Sequence, residues 1–323
     1  MSSRAFSFAD QARCGGFVAW LAAAGLIGWV MAHGARGAVG PSDSAANAPY
    51  SGGSWATGSN GGSGFAPWDL VPLGYSTGIE YSPTVVYQAT SSANAYGTTA
   101  NPNINTNGNS WTIVADYATS GTAADPVAYR PLTAPLAVGS TFNVSFTNGY
   151  ILPQGAEGFQ LQSYNSTTGI AEPLFQFSVF GATSTSYESD YLMTTFDGNG
   201  NMENSVDTGI SADTTLNSAA ASGVNVAFTL QSATSALVTM TPLGDPAAAY
   251  STTMYFASAG NFPINQLMLF NDNLESNATQ YAYFNSIGVQ QVPEPSTLLL
   301  LGTAAMGGLV LMRRRTVALP LKR

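Results

Sequence analysis

Two stretches collect oxygen-bearing side chains at spacings that suit a hard cation or a sugar. "DGNGNMENSVD" puts Asp197, Asn199, Asn201 and Glu203 at alternate positions, as the ligands of a calcium loop are placed. The pattern then departs from an EF-hand, with Met202 where the sharp-turn glycine belongs and Thr208 where the bidentate glutamate belongs. Asp-Gly and Asn-Gly also form hairpin turns, so the stretch reads as a turn first and a calcium site second. "FNDNLESNATQYAYFN" is another such stretch. Asn271, Asp272, Asn273, Glu275 and Asn277 there offer oxygens to calcium or to sugar hydroxyls, or they form a polar loop between strands. Calcium is the one cofactor these patterns admit, and none is required.

Hydrolysis of a glycosidic bond needs two carboxylates about 5–10 Å apart across a cleft. Glu188 and Asp190 supply the Glu-x-Asp half of the Glu-x-Asp-x-x-Glu pattern of sandwich glucanases, but Met193 and Thr194 stand where the third acid would fall. The two acids then read as solvated residues at a strand entrance, and the chain is expected not to be an enzyme. Among the tryptophans, Trp111 lies in an apolar strand, Trp55 in a Gly/Ser-rich stretch, and Trp68 at the start of the patterned region. Trp68 is the one expected to stack on a sugar ring.

Composition removes most other chemistry. Between residues 39 and 292 there are sixteen acids and one basic residue, Arg130, a formal charge of −15. Nucleic acid is excluded as a partner, since its recognition rests on Lys and Arg against phosphate. The only His and Cys are His33 and Cys14, both in the N-terminal region. Ser-His-Asp and Cys-His catalysis, Schiff-base chemistry and the usual zinc ligands are therefore missing from the body. Arg130 cannot shed its charge, so an ion pair inside the fold is its expected role.

The elements that must position these residues are strands. "STFNVSF" alternates Phe142, Val144 and Phe146 with Asn143 and Ser145, "VNVAFTL" alternates Val224, Val226, Phe228 and Leu230 with polar residues, and "PLFQFSVF" alternates Phe175, Phe177 and Val179 with Gln176 and Ser178. Further runs cover 83–89, 110–117, 157–163, 189–195, 235–241, 250–256, 264–270 and 281–290. This predicts about eleven strands and no long helix, as in an all-β, two-sheet antiparallel β-sandwich. Residues 38–66, with "SGGSWATGSNGGSG", read as a flexible linker before a sandwich domain of residues 67–291.

The two ends are built differently. Arg4 and Arg13 precede the apolar run 17–32 and the small residues of "HGARGA", the plan of a signal peptide over residues 1–37. At the other end Pro293, Glu294 and Pro295 (motif 292–296) precede an uncharged run, 297–312, and then Arg313, Arg314 and Arg315 in a basic tail, 313–323. An apolar run of this length is near the short limit for a transmembrane helix, and the arginines act as a stop-transfer signal that stays in the cytoplasm.

That C-terminal order resembles the PEP-CTERM sorting signal. The resemblance implies export in a Gram-negative bacterium, an inner-membrane-anchored precursor, processing by an exosortase, and a final place at the cell surface or in the extracellular matrix, often alongside exopolysaccharide. The run from "SWTIVADY" through "GFQLQ" and "PLFQFSVF" to "LMLFNDN" and "AYFNSIGV" resembles concanavalin A-like jelly-roll domains of bacterial surface proteins. The expected function is therefore a non-enzymatic surface protein, structural or weakly polysaccharide-binding. A calcium-dependent, lectin-like adhesion module and an extracellular glycoside hydrolase are the alternatives.

Overall fold

In the computed structural model the described residues are 40–50, 52–76, 79–80, 84–90, 103–116, 122–149, 151, 155–181, 190–212, 222–256, 262–272 and 279–291. They belong to one compact unit, Gly40–Val292. The expected signal peptide, sorting motif, apolar run 297–312 and arginine tail lie outside the described residues, as do Glu188, Asn273, Glu275 and Asn277. Among the described residues no helix is long and apolar enough to cross a membrane.

The body is two antiparallel sheets. The first contains β1 (Ser42–Asp43), β4 (Thr84–Thr90), β5 (Ser110–Asp116), β7 (Thr141–Asn148), β12 (Val224–Ser232), β13 (Ser235–Pro242), β14 (Tyr250–Tyr255) and β16 (Thr279–Gln290). Its order is β14-β13-β12-β7-β16-β5-β4, with β1 also on β16. The second contains β2 (Asp69–Ser76), β3 (Ile79–Glu80), β6 (Thr122–Pro131), β8 (Ala156–Asn165), β9 (Ile170–Phe180), β10 (Asp190–Phe196), β11 (Met202–Ser211) and β15 (Gln266–Asp272), in the order β11-β10-β9-β8-β15-β6-β2-β3. The chain crosses between the sheets at β1–β2, β3–β4, β5–β6, β6–β7, β7–β8, β11–β12, β14–β15 and β15–β16, so strands distant in sequence become neighbours. All eleven strands expected from alternation are present. β1, β2, β3, β6 and β11 were not expected.

The period-two pattern explains the core. Phe142, Val144 and Phe146 of β7 and Val224, Val226 and Phe228 of β12 face Phe159, Leu161, Phe175 and Phe177 of the second sheet, all of them buried. Rings meet across the gap, as in the edge-on contact of Phe146 with Phe177 at 6.1 Å. Each such side chain contributes roughly 1.5–3 kcal/mol on burial.

Residues 40–66 differ from the linker expected of them. Ser42 and Asp43 pair with Gly288 and Ile287, and Phe65 bridges to Leu132. Tyr50, Trp55 and Phe65 are buried in the core, where Tyr50, Trp55, Trp68 and Trp111 form a box of mainly edge-on aromatic contacts. Low-complexity composition predicted freedom, but a handful of large side chains among the glycines ties the segment down. The domain therefore begins at about Gly40.

Candidate functional site

Arg130 is an internal clamp. It faces the core opposite Leu267 of β15, and its guanidinium Nη2 lies 2.6 Å from Asp43 Oδ2 with neither side chain exposed. Nη2 also donates to Asn60 Oδ1 at 2.8 Å and Nη1 to the Ser59 carbonyl at 3.2 Å. Asp43 accepts further from Tyr50 Oη, Asn47 Nδ2 and the Ser44 amide. Trp68 Nε1 donates to Tyr50 Oη at 3.1 Å, and the guanidinium lies 5.0 Å from the Trp68 ring centre. Burial lowers the arginine pKa and Asp43 opposes that shift. Trp68, expected as a sugar platform, is thus a wall of this clamp and only 1% exposed. A tryptophan that starts a domain and a tryptophan that floors a binding site look alike in sequence.

The "DGNGN" stretch is a capped hairpin turn between β10 and β11. Asp197 Oδ1 accepts from the amides of Asn199 and Asn201, and Oδ2 from their Nδ2 groups. These bonds, that of the Asn201 side chain first, hold the Asp197 carboxyl down at about 2. Glu203 lies on β11, exposed. Gly198 has a φ of +76°, and a Cβ there would meet the Phe262 ring at 2.7 Å, so the turn needs its glycine twice over.

Asn271 is a correction of another kind. It is fully buried on the core side of β15, opposite Glu157 of β8, and its Nδ2 donates to the carbonyls of Ile113 and Gln280 in the facing sheet. It ties the sheets together and offers nothing to a surface ligand. Asp272, one residue on, takes the outer face instead. Burial and then the nearby Asp125 raise its carboxyl to about 7. Asp190 is also raised, by burial and then by Asp207.

The feature best suited to a ligand was not foreseen. The alternation that packs Phe159, Leu161, Phe175, Phe177, Leu267 and Leu269 into the core turns Gln160, Gln162, Gln176, Ser178 and Met268 to the other side of the second sheet, where Gln160, Gln176 and Met268 are part-exposed and Gln162 and Ser178 are buried. There the amides form a chain. Gln162 Nε2 donates to Gln160 Oε1 at 2.8 Å, Gln160 Nε2 to Gln176 Oε1 at 2.8 Å, and Gln176 Nε2 to Ser178 Oγ at 3.0 Å. Gln266 sits opposite Gln162. The Oε1 atoms of both are buried and have no hydrogen-bond partner among the described residues.

Beside the ladder the same face is apolar, with Val127, Phe270, Met268, Tyr129 and Val71. Past Gln162, at the β8–β9 end of the second sheet, a groove of about 490 Å³ is lined by Tyr164, Asn165, Ile170, Glu172, Phe262 and Pro263, among others, with Glu172 opposite Ser163 and Phe262 against the main core. Asn265 positions this wall through two bonds to the Tyr164 backbone, at 2.7 and 2.9 Å. Aligned amides next to apolar surface suit a sugar, which has hydroxyl edges and C–H faces. The sequence signal was glutamine recurring at alternate positions in "GFQLQ" and "LFQF", which reads simply as the wet side of a strand.

Residues 291–315 match the family described as the PEP-CTERM protein-sorting motif. The chain carries a PEP-CTERM sorting signal. This bears out the resemblance read at the C-terminus, and such a signal implies an exported, membrane-anchored precursor. No curated protein matches the sequence. Among solved structures, the body is similar to a Bacteroides ovatus mixed-linkage glucan GH16 protein in complex with a product (7% identity, 69% of this chain and 94% of that one, TM-score 0.43). It is also similar to the CBM2 module of an evolved Dit protein of Lactobacillus casei BL23 phage J-1 (12%, 70% and 98%, 0.40). A third is a legume lectin-like domain from Entamoeba histolytica (12%, 57% and 84%, 0.38). Likeness at this level says nothing of what the PEP-CTERM chain binds.

Proposed function

We propose that this PEP-CTERM-sorted protein is a non-enzymatic polysaccharide-binding protein of the cell surface or extracellular matrix, and that the outer face of its second sheet is the binding face. The observation that carries this reading is the hydrogen-bonded chain Gln162–Gln160–Gln176–Ser178 running up to the Tyr164 groove. Because each amide is held by the next, its orientation is fixed before a sugar arrives, which lowers the ordering cost of binding. An apolar strip beside the ladder supplies stacking surface. The reading needs no metal.

The test is retention of the full-length protein, in detergent, on columns of insoluble polysaccharides. Tyr164→Ala and the Gln160→Ala/Gln176→Ala pair should each lower affinity by about tenfold, the equivalent of 1.4 kcal/mol, with no polymer cleaved. Unchanged retention in both variants would sink the proposal, and release of new reducing ends would turn it towards an enzyme.

A further inference from the structure

We infer that the groove takes an amino-sugar polymer with part of its nitrogen unacetylated and protonated, an inference that rests on the glycan-binding reading above. Anionic polymers are excluded by the chain itself. Arg130 is the only basic residue between residues 40 and 292, and it is fully buried against Asp43. No guanidinium or ammonium is left to meet a uronate, sulfate or phosphate, and the body's charge of −15 repels such polymers at distance.

What the groove does offer is acceptors and rings. The Glu172 carboxylate lies in its wall, with the Asn165 side chain and the Tyr164 and Phe262 rings. An ammonium group favours both, by charge-assisted hydrogen bonding to a carboxylate and by attraction to an aromatic face. A ligand that suits this carboxylate and these rings donates and carries positive charge. On the outer face Asp69 is exposed at the start of β2, whereas burial favours the neutral form of Asp125 and Asp272 on β6 and β15. Each exposed charge contact is weak and salt-sensitive, so selectivity accumulates over several amines along a chain.

The experiment measures binding of the full-length protein to four polymers: glucosamine polymer fully acetylated, half-acetylated and largely deacetylated, and a polymannuronate. Binding should strengthen by about tenfold (1.4 kcal/mol) from the first to the third, fall steeply with added salt, and be absent for polymannuronate. Glu172→Gln should erase most of the preference for the deacetylated polymer. Asp245→Asn, an exposed change in the β13–β14 turn at the opposite end of the sandwich, should alter nothing.

Equal affinity along the acetylation series, tighter binding of the uronate, or an Asp245→Asn loss as large as that of Glu172→Gln would each overturn the inference. Of these, the first two would leave the glycan-binding reading standing. Failure of the folded protein to hold any of these polymers, together with failure on neutral glucans, would bring down that reading as well.

Discussion

Asp43 Oδ2 and Arg130 Nη2 lie 2.6 Å apart across the inside of the sandwich, one on a two-residue strand of the first sheet and the other on β6 of the second. The pair joins residues 87 positions apart and attaches the glycine-rich N-terminal segment to the core. Asp43→Ala leaves a guanidinium buried beside Trp68 and Phe65. Removing one member of a buried pair costs about 3–5 kcal/mol, which corresponds to a melting temperature lower by roughly 6–20 °C for a domain of this size. Asp43→Leu/Arg130→Met should melt above either single change, because it leaves no orphaned charge. Calorimetry of the three variants checks this, and a single variant within 2 °C of wild type, within roughly 1 kcal/mol, would refute the clamp.

The same segment sets where the domain begins. A chain of residues 40–291 should fold alone, whereas a chain of residues 64–291 loses Asp43, Tyr50 and Trp55 and exposes Trp68 and Trp111. The lost burial and ion pair together rival a typical net stability of about 5–15 kcal/mol. The shorter chain is expected to lack near-ultraviolet circular dichroism and a cooperative melt. A sharp transition in it would restore the linker reading.

Asp272 makes stability depend on pH. Its carboxyl goes from an ordinary 3.8 to about 7 in the folded chain, through burial first and Asp125 second. The folded state therefore binds the proton more tightly than the unfolded state between those values, and stability falls as pH rises through that window. Burial raises Asp125 in the same direction. Thermal melts from pH 4 to pH 8 should decline, and Asp272→Asn should flatten the decline and raise the melting temperature at pH 8. A wild-type melting temperature that does not fall over that range would contradict this.

Trp68 and Tyr164 should separate stability from binding. Trp68→Ala empties a site in the core and should cost about 3–5 kcal/mol, with glycan affinity of the remaining folded protein unchanged. Tyr164→Ala should melt within about 1 kcal/mol of wild type, as surface substitutions do, and lose affinity. The reverse pattern would return the binding role to Trp68.

At the C-terminus, replacing Pro293, Glu294 and Pro295 with three alanines should leave export intact and block processing of the tail. Mass spectrometry of the membrane and released fractions decides this. The same mature mass as wild type would mean that the triplet is not read.

Much of this architecture was legible because alternation is a local property. "VNVAFTL" buries every second residue and "STFNVSF" buries Phe142, Val144 and Phe146 on one face, and β7 and β12 formed where they predicted. β2 and β6 were obscured by Pro72, Pro126 and Pro131, which lower strand propensity. β11 was obscured because an edge strand with most of its side chains in water has little apolar pattern to show. Residues 40–66 were misread for a different reason. Whether a glycine-rich segment is loose depends on what its few large residues can reach, and Asp43, Tyr50 and Trp55 find partners far along the chain. The candidate site was the least legible, since the glutamine chain depends on the register that sets Gln160 of β8 opposite Gln176 of β9, and Gln266 reaches its side only because β15 enters from elsewhere.

The place of β16 has a mechanical consequence. It lies inside the first sheet, laddered to β7 on one side and to β5 and then β1 on the other, and the sorting motif follows it directly. A pull on the tail therefore runs along a strand held on both sides. Its hydrogen bonds must shear together and cannot peel one at a time, as they would on an edge strand such as β14. The body is built to bear load at the point where it is tethered. Force spectroscopy pulling from residue 291 against residue 148, at the far end of the paired β7, should rupture at higher force than pulling from residue 255 against residue 235, which unzips the edge pair β13–β14.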